Sequence, residues 1–221
     1  MTAATEEISP RLEDALAYLP RKAAVEYARG QIIYNEHHPS HELSLVTCGR
    51  VRVTMVTDGT PTVIGIFSAD EFFGFASLLG DYTKASEEAI ALERTQLMPW
   101  SRAEIEAAIE RQPRLGVALM QIAAQLCLDF EERLQGLALS TTSERLAVSL
   151  LRFAHDAQES DGAVSIPPLT HQLLSEYIGT SRETITAHMN EWRRQGFVRY
   201  SRNAIYLYPE ALSEHLRGRR T

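Results

Sequence analysis

The segment LTHQLLSEYIGTSRETITAHMNEWRRQGFVRY, Leu169 to Tyr200, reads as two short helices joined by a tight turn and followed by a β-wing. Thr170 is a good N-cap, and Leu173, Leu174, Tyr177 and Ile178 supply apolar residues at helical spacing. Gly179, which tolerates φ > 0, ends that helix after roughly two turns. Thr180-Ser181-Arg182-Glu183 has the capping-box spacing, a Thr or Ser followed three residues on by Glu, so a second helix is predicted to start there. Ile185, Met189 and Trp192 stand at i, i+4 and i+7 and share one face, which is expected to pack on the first helix, where Ser175 is small enough for close approach. Ser181, Arg182 and Thr186 fall on the other side with Glu183 beside them. Arg can bond guanine O6/N7 in bidentate fashion, Glu can accept from cytosine N4, and Thr can touch a thymine methyl. The free N–H groups at the helix N-terminus suit a phosphate.

Downstream come Arg193, Arg194 and Gly196, then the alternating run FVRYSRNAIYLY from Phe197 to Tyr208, read as a two-strand hairpin turning near Ser201-Arg202-Asn203. A hairpin carrying Arg199 and Arg202 beside a reading helix supplies the phosphate contacts of a winged helix-turn-helix. A bland surface helix hairpin is the competing reading of such a pair. The expected DNA-binding set is Thr170, Ser181, Arg182, Glu183, Thr186, Arg193, Arg199 and Arg202. From Leu169 to Leu212 the chain resembles the DNA-binding domain of the Crp-Fnr superfamily of transcription regulators, and the phrase G-x-S-R-E-T-I, Gly179 with Ser181 to Ile185, is the specific part. The resemblance implies that this helix reads the major groove and that Arg182 and Glu183 keep their roles. Ala187 stands where the family pattern has a further Arg, so the implied operator is a relaxed variant of the cyclic-AMP-receptor half-site.

Composition fits a soluble globular protein of one or two domains, two being preferred: 221 residues, 44% hydrophobic and 23% charged. The net charge of −7 argues against nucleic acid until it is divided along the chain. Residues 140–221 hold ten Arg and nine Asp or Glu, a balance of +1, while the 12 basic and 20 acidic residues before them give −8. Between Thr180 and Arg202 five Arg face two Glu, and Arg217, Arg219 and Arg220 follow. A locally positive face suffices, because phosphate contacts act within about a Debye length, ~8 to 10 Å. No apolar run nears the roughly 18 residues of a membrane span, and the acidic MTAATEEISPRLEDAL has no hydrophobic signal core, so a cytoplasmic location without membrane attachment is expected.

Ser9-Pro10 opens a predicted short helix over residues 9–19, with Leu12, Leu16 and Leu19 on one side. From Val25 to Pro99 short β-type runs follow: Val25 to Tyr34, Leu43 to Cys48, Val51 to Val56, Thr62 to Phe67, Ala89 to Ala91 and Thr95 to Met98. Many short strands at such spacing predict a sandwich or barrel. Cys48-Gly49-Arg50-Val51-Arg52-Val53 resembles the S-G-x-V-x-V strand pair of the superfamily's cyclic-nucleotide-binding jelly-roll. Where nucleotide-binding members carry G-E-L-[AGS] and a later R-[ST]-A, the corresponding positions here are Gly74-Phe75-Ala76-Ser77 and Lys84-Ala85-Ser86. Phe75 cannot accept a ribose hydrogen bond, Ala85 has no hydroxyl, and Lys84 is a point charge in place of a bidentate guanidinium. Hydrogen bonds of this kind contribute roughly 0.5 to 3 kcal/mol each, so the resemblance implies a kept scaffold whose physiological ligand is not cyclic AMP. The cavity is left to another small molecule or to none, with Lys84 still able to pair a phosphate.

Ser101 is predicted to cap a helix over SRAEIEAAIERQ, and Pro113 to open one running to about Leu139. Leu115, Leu119, Ile122, Leu126, Phe130, Leu134 and Leu137 recur at about 3.7 residues per step, close to the roughly 3.6 of one helix face. Periodicity alone is also met by an ordinary core helix, but ~40 Å of it is more than one small roll can cover. In the family this helix pairs with its twin, spacing two reading heads one DNA turn, ~34 Å, apart; a homodimer on a near-palindromic duplex is the expectation. Ser140-Thr141-Thr142-Ser143-Glu144 ends the helix and caps another over Arg145 to Ala157, and Gly162 to Leu169 reads as a strand-like link. The expected fold is α+β: a roll over residues 1–112, a dimerisation helix over 113–139 and a winged helix-turn-helix over 140–221.

Two Cys are too few for a four-thiolate iron–sulfur cluster; Cys127 is expected as a free buried thiol, with a redox bridge between subunits conceivable. His37-His38-Pro39-Ser40-His41 reads as a solvated turn, not a metal site. No pairing among the His, Cys and Met residues marks a heme site, which leaves heme open, and no catalytic ordering or phosphate loop is found. The sequence thus predicts a non-enzymatic, DNA-binding regulator with an unknown effector or none, contacting RNA polymerase by family resemblance. The alternative is a small-molecule sensor signalling through a protein partner.

Overall fold

In the computed structural model, residues 13–57, 60–79, 87–154, 159–160, 162–166, 168–201 and 204–218 are described. The strands β1 (Val25–Tyr27), β2 (Ile32–Tyr34), β3 (Glu42–Cys48), β4 (Val51–Thr57), β5 (Thr60–Phe67), β6 (Phe72–Phe73), β7 (Glu87–Ala91) and β8 (Thr95–Ser101) make two four-stranded sheets, ordered β1-β8-β3-β6 and β2-β7-β4-β5. The helices α1 (Arg102–Arg111), α2 (Arg114–Leu139) and α3 (Thr142–Phe153) follow. Then come β9 (Glu159–Ser160), β10 (Ala163–Ile166), α4 (His171–Ile178), α5 (Arg182–Gln195), β11 (Val198–Tyr200), β12 (Ile205–Leu207) and α6 (Pro209–Gly218). The third sheet has the order β11-β12-β10-β9. This is the expected α+β architecture of roll, long helix and winged helix-turn-helix.

Several local expectations needed revision. The run Val25 to Tyr34 is two strands in different sheets, separated by a turn in which the Gln31 N–H donates to the Ala28 carbonyl at 3.0 Å. β8 continues through Pro99, where the sequence had stopped it. Proline is tolerated there because β1 pairs only with Thr95 to Leu97, so the strand has lost that neighbour by position 99. Of the helix expected over residues 9–19, positions 9–12 lie outside the described residues, and the rest is a single 3-10 turn, Ala15–Ala17, capped by Asp14. The short helix α6 was not anticipated.

The two compact units are the described residues up to Val53 with Ile66–Asp129, and Thr54–Gly65 with the residues from Phe130 onward. In the first, Leu43, Leu45, Phe72, Trp100, Ile105 and Leu115 share one core, and the Trp100 indole N–H donates to the Pro20 carbonyl at 2.8 Å. Ser101 caps α1 in a reciprocal capping box with Glu104. The long helix α2 enters this core, which corrects part of its expected dimer stripe. Leu115 and Leu119 are buried in the roll itself, and Ile122 packs against it.

In the second unit α3 packs on α4 and α6, α4 on α5, and α5 on β11. Leu146, Leu150, Ile166, Leu174, Ile185, Met189 and Trp192 are all fully buried. Thr141 caps α3 with Glu144, and the helix begins at Thr142, three residues earlier than its expected start at Arg145.

Candidate nucleic-acid interface

The orientation of α5 follows from its apolar residues. Ile185, Met189 and Trp192 are buried at 0% exposure, which turns Arg182, Glu183 and Ala187 outward. The turn into α5 depends on Gly179, whose φ of 74° and ψ of 53° lie in the left-handed region, with its N–H bonded to the Ser175 carbonyl at 3.0 Å. Ser175 itself is buried and donates its hydroxyl to the Gln172 carbonyl at 2.7 Å, so a small polar residue is satisfied at the helix crossing. The cap of α5 differs from the expected box. Ser181, not Thr180, is the N-cap, its Oγ accepting from the Thr184 N–H at 3.1 Å, and Glu183 is thereby left without a capping role.

The expected DNA-contacting residues are placed as follows. Arg182 and Glu183 are exposed, side by side in the first turn of α5, and neither side chain has a partner among the described residues. Ser181 is exposed, its hydroxyl shared with Thr184 Oγ1 at 2.9 Å. Thr170 caps α4, its Oγ1 accepting from the Leu173 N–H at 3.1 Å, which leaves the hydroxyl proton available. Arg193 is exposed near the end of α5. Arg199 is exposed on β11, its guanidinium 4.7 Å above the Tyr206 ring, a stacking that holds the group while its N–H edges stay open to a phosphate. Arg202 lies outside the described residues.

Two groupings were not legible in the sequence. The first joins three elements: His171 on α4 places Nδ1 2.9 Å from Thr186 Oγ1 on α5 and Nε2 3.0 Å from the Tyr200 hydroxyl on β11. Burial, and then the Arg182 guanidinium, hold His171 below its ordinary value of 6.5. Burial raises Tyr200 to about 12 against the opposing pull of Arg193. Both are therefore uncharged at neutral pH. The second is Arg133 on α2, which donates to the carbonyls of Ile64 at 2.5 Å, Val63 at 3.1 Å and Tyr177 at 3.3 Å, its guanidinium 4.2 Å above the Tyr177 ring. It thus ties the β5 strand to the C-terminal turn of α4. Partners 15 to 70 residues apart leave no spacing signal for either grouping.

At the expected effector turn, Gly74 has φ 87°, and a Cβ there would come within 2.6 Å of the Glu42 carbonyl oxygen. Phe75 packs against the roll core, Ala76 is half-buried, and the buried Ser77 hydroxyl has no hydrogen-bond partner among the described residues. Lys84, Ala85 and Ser86 lie outside the described residues. On α2, Ile122 and Leu126 are half-buried, whereas Phe130, Leu134 and Leu137 are exposed. Val117, Met120, Ala124, Cys127, Glu131 and Leu134 follow one another at alternating steps of three and four, all exposed. Cys127 is thus exposed, as is Cys48, and not the buried thiol expected. His37 and His38 sit on a turn where Asn35 Oδ1 accepts from both backbone N–H groups at 3.0 Å. Among the described residues no group of three His, Cys, Asp or Glu could hold a metal, and no helix is long and apolar enough to cross a membrane.

Comparison with known proteins matches residues 24–112 to the cyclic nucleotide-binding domain and residues 144–215 to the Crp-like helix-turn-helix domain. The chain is 27% identical over 203 residues to the cyclic AMP receptor protein of Thermus thermophilus, covering 91% of this chain and 90% of that one. It is 25% identical to the global nitrogen regulator of Synechococcus elongatus, covering 86% and 87%. Among solved structures it is similar to a CRP/FNR-family transcriptional regulator of Thermus thermophilus, with TM-score 0.68, 26% identity and coverage of 86% and 96%. FixK2 of Bradyrhizobium japonicum shares the fold with TM-score 0.74 at 22% identity, covering 87% and 97%.

A histidine whose folded value lies below its unfolded one is protonated more readily in the unfolded chain, so its contribution to stability is complete above pH ~6.5 and declines as pH falls below that. Thermal melts from pH 8 to pH 5 are expected to show this decline, and His171→Asn to show less of it. An identical pH dependence in both chains would remove His171 as its source.

Proposed function

The chain belongs to the Crp-Fnr superfamily of transcription regulators, which are not enzymes, and from that premise we propose that it acts as a homodimer placing two copies of α5 in successive major grooves of a near-palindromic duplex. The observation that carries this reading is the pair Arg182 and Glu183, exposed together at the start of a helix whose opposite face is fully buried. A guanidinium and a carboxylate so placed match guanine O6/N7 and cytosine N4 of neighbouring base pairs. Thr170, Ser181, Thr186, Arg193, Arg199 and Arg202 complete the DNA-contacting set of this reading. The exposed Ala187 withholds a third charged reader, which relaxes the half-site.

The dimer surface is the exposed seam of α2 that includes Met120, Cys127 and Leu134, whose three-and-four spacing is that of a two-stranded coiled coil. Exposed Met120 and Leu134, each at 65%, gain most from a second copy. In this reading residues 1–112 form the effector domain, 113–139 the dimerisation helix and 140–221 the reading head, and the protein works in the cytoplasm with RNA polymerase as its further partner. Phe75 packed into the roll core offers a ribose nothing to bond, so the effector is a small molecule other than cyclic AMP, or there is none.

Fluorescence anisotropy on duplexes selected from a random library, across a salt series, tests the function directly, and failure to select any sequence removes it. Arg182→Ala is expected to weaken the selected site by about 1 to 3 kcal/mol and to relax base choice at one position per half-site. An equal loss on every sequence would contradict base reading by Arg182. In a Cys48→Ser background, mild oxidation is expected to cross-link the protein through Cys127, since facing seam positions lie within disulfide reach. A monomer by sedimentation that does not cross-link would rule out this seam. Titration calorimetry with cyclic AMP is expected to give no heat of binding at micromolar protein, and micromolar affinity would reverse the assignment of the roll.

A further inference from the structure

The three-way contact of His171, Thr186 and Tyr200 fixes more than the fit of the wing. Thr186 Oγ1 donates to the Arg182 carbonyl at 2.9 Å, which commits its one proton. The bond to His171 Nδ1 at 2.9 Å must then be donated by the ring, so His171 carries its proton on Nδ1. Nε2 is left as an acceptor, and the Tyr200 hydroxyl donates to it at 3.0 Å. The donors run in one direction, from Tyr200 on the wing through His171 on α4 to Thr186 and the backbone of α5. Every member is satisfied by the neutral forms.

Thr186 therefore has no O–H to offer a groove. Purine N7, guanine O6 and thymine O4 are acceptors and cannot be bonded by it; what remains is a methyl group and at most one lone pair. It stands one turn after Arg182 on the same side of α5, next to the exposed methyl of Ala187. We propose that His171 is a positioning residue for base readout, turning the Thr186 hydroxyl inward so that Thr186 selects thymine through its C5-methyl. This rests on the reading of α5 as the groove helix. It assigns roles to His171 and Tyr200 that neither the helix pattern nor the charge pattern indicates.

Deoxyuridine differs from thymidine only by the methyl, which makes the test specific. A selected operator is prepared with each thymine in turn replaced by uracil, and anisotropy is measured with the full-length protein. At one position per half-site the replacement is expected to weaken binding by about fourfold, the effect of one buried methyl. Thr186→Ser keeps the hydroxyl and loses the methyl, and is expected to bind thymine and uracil duplexes equally at that position. His171→Ala is expected to lose the discrimination as well, while His171→Asn, which retains a donor near the place of Nδ1, restores it. The inference is overturned if no thymine is distinguished from uracil, if Thr186→Ser still distinguishes them, or if His171→Ala discriminates as the unaltered chain does. If the unaltered chain selects no operator at all, the groove-helix reading fails first and this inference with it.

Discussion

The burial of Ile185, Met189 and Trp192 against the rest of the C-terminal unit sets the rotation of α5 about its own axis, and everything functional in that half depends on it. Three large side chains at 0% exposure leave no alternative rotation that does not bring an apolar face into water, at roughly 1.5 to 3 kcal/mol for each large apolar side chain uncovered. Arg182 and Glu183 of the same helix are thereby assigned their direction without a side-chain partner among the described residues. Arg182 and Glu183 are held out not by partners but by what lies behind them. Such an arrangement suits recognition, because groups already free of internal bonds lose none when they meet a ligand.

A second constraint is that α2 serves two environments along one length. Its first turns complete the roll core with Leu115 and Leu119, whereas its later turns expose Leu134 and Leu137. The helix stripe drawn from the sequence runs through both, since a leucine at a helical interval looks the same whether it faces its own chain or water. Only the position of the roll separates them. The exposed line of the helix also passes through Met120 and Cys127, beside the buried Leu119 and the half-buried Leu126.

The strands, helices and their caps were largely legible because each depends on residues within a few positions: Ser101 with Glu104, Thr170 with Leu173, Gly179 with Ser175. Where local signals competed, neighbours in space decided. Both Thr180 and Ser181 satisfy the N-cap requirement, and the geometry of the turn selected Ser181. Pro99 ended a strand on local grounds, yet β8 runs through it because β1 has already stopped.

The sequence by itself determined the class of fold, the two helices of the reading head and the outward residues of α5, because periodicity and capping are local and a face opposite three buried apolar side chains has only one way to point. Tertiary structure alone decided which leucines of α2 are covered, that Arg133 joins β5 to α4, and that His171 meets Thr186 and Tyr200. Those are contacts between residues far apart in the chain. Their hydrogen bonds depend on where whole elements come to rest, a quantity that no interval in the sequence encodes.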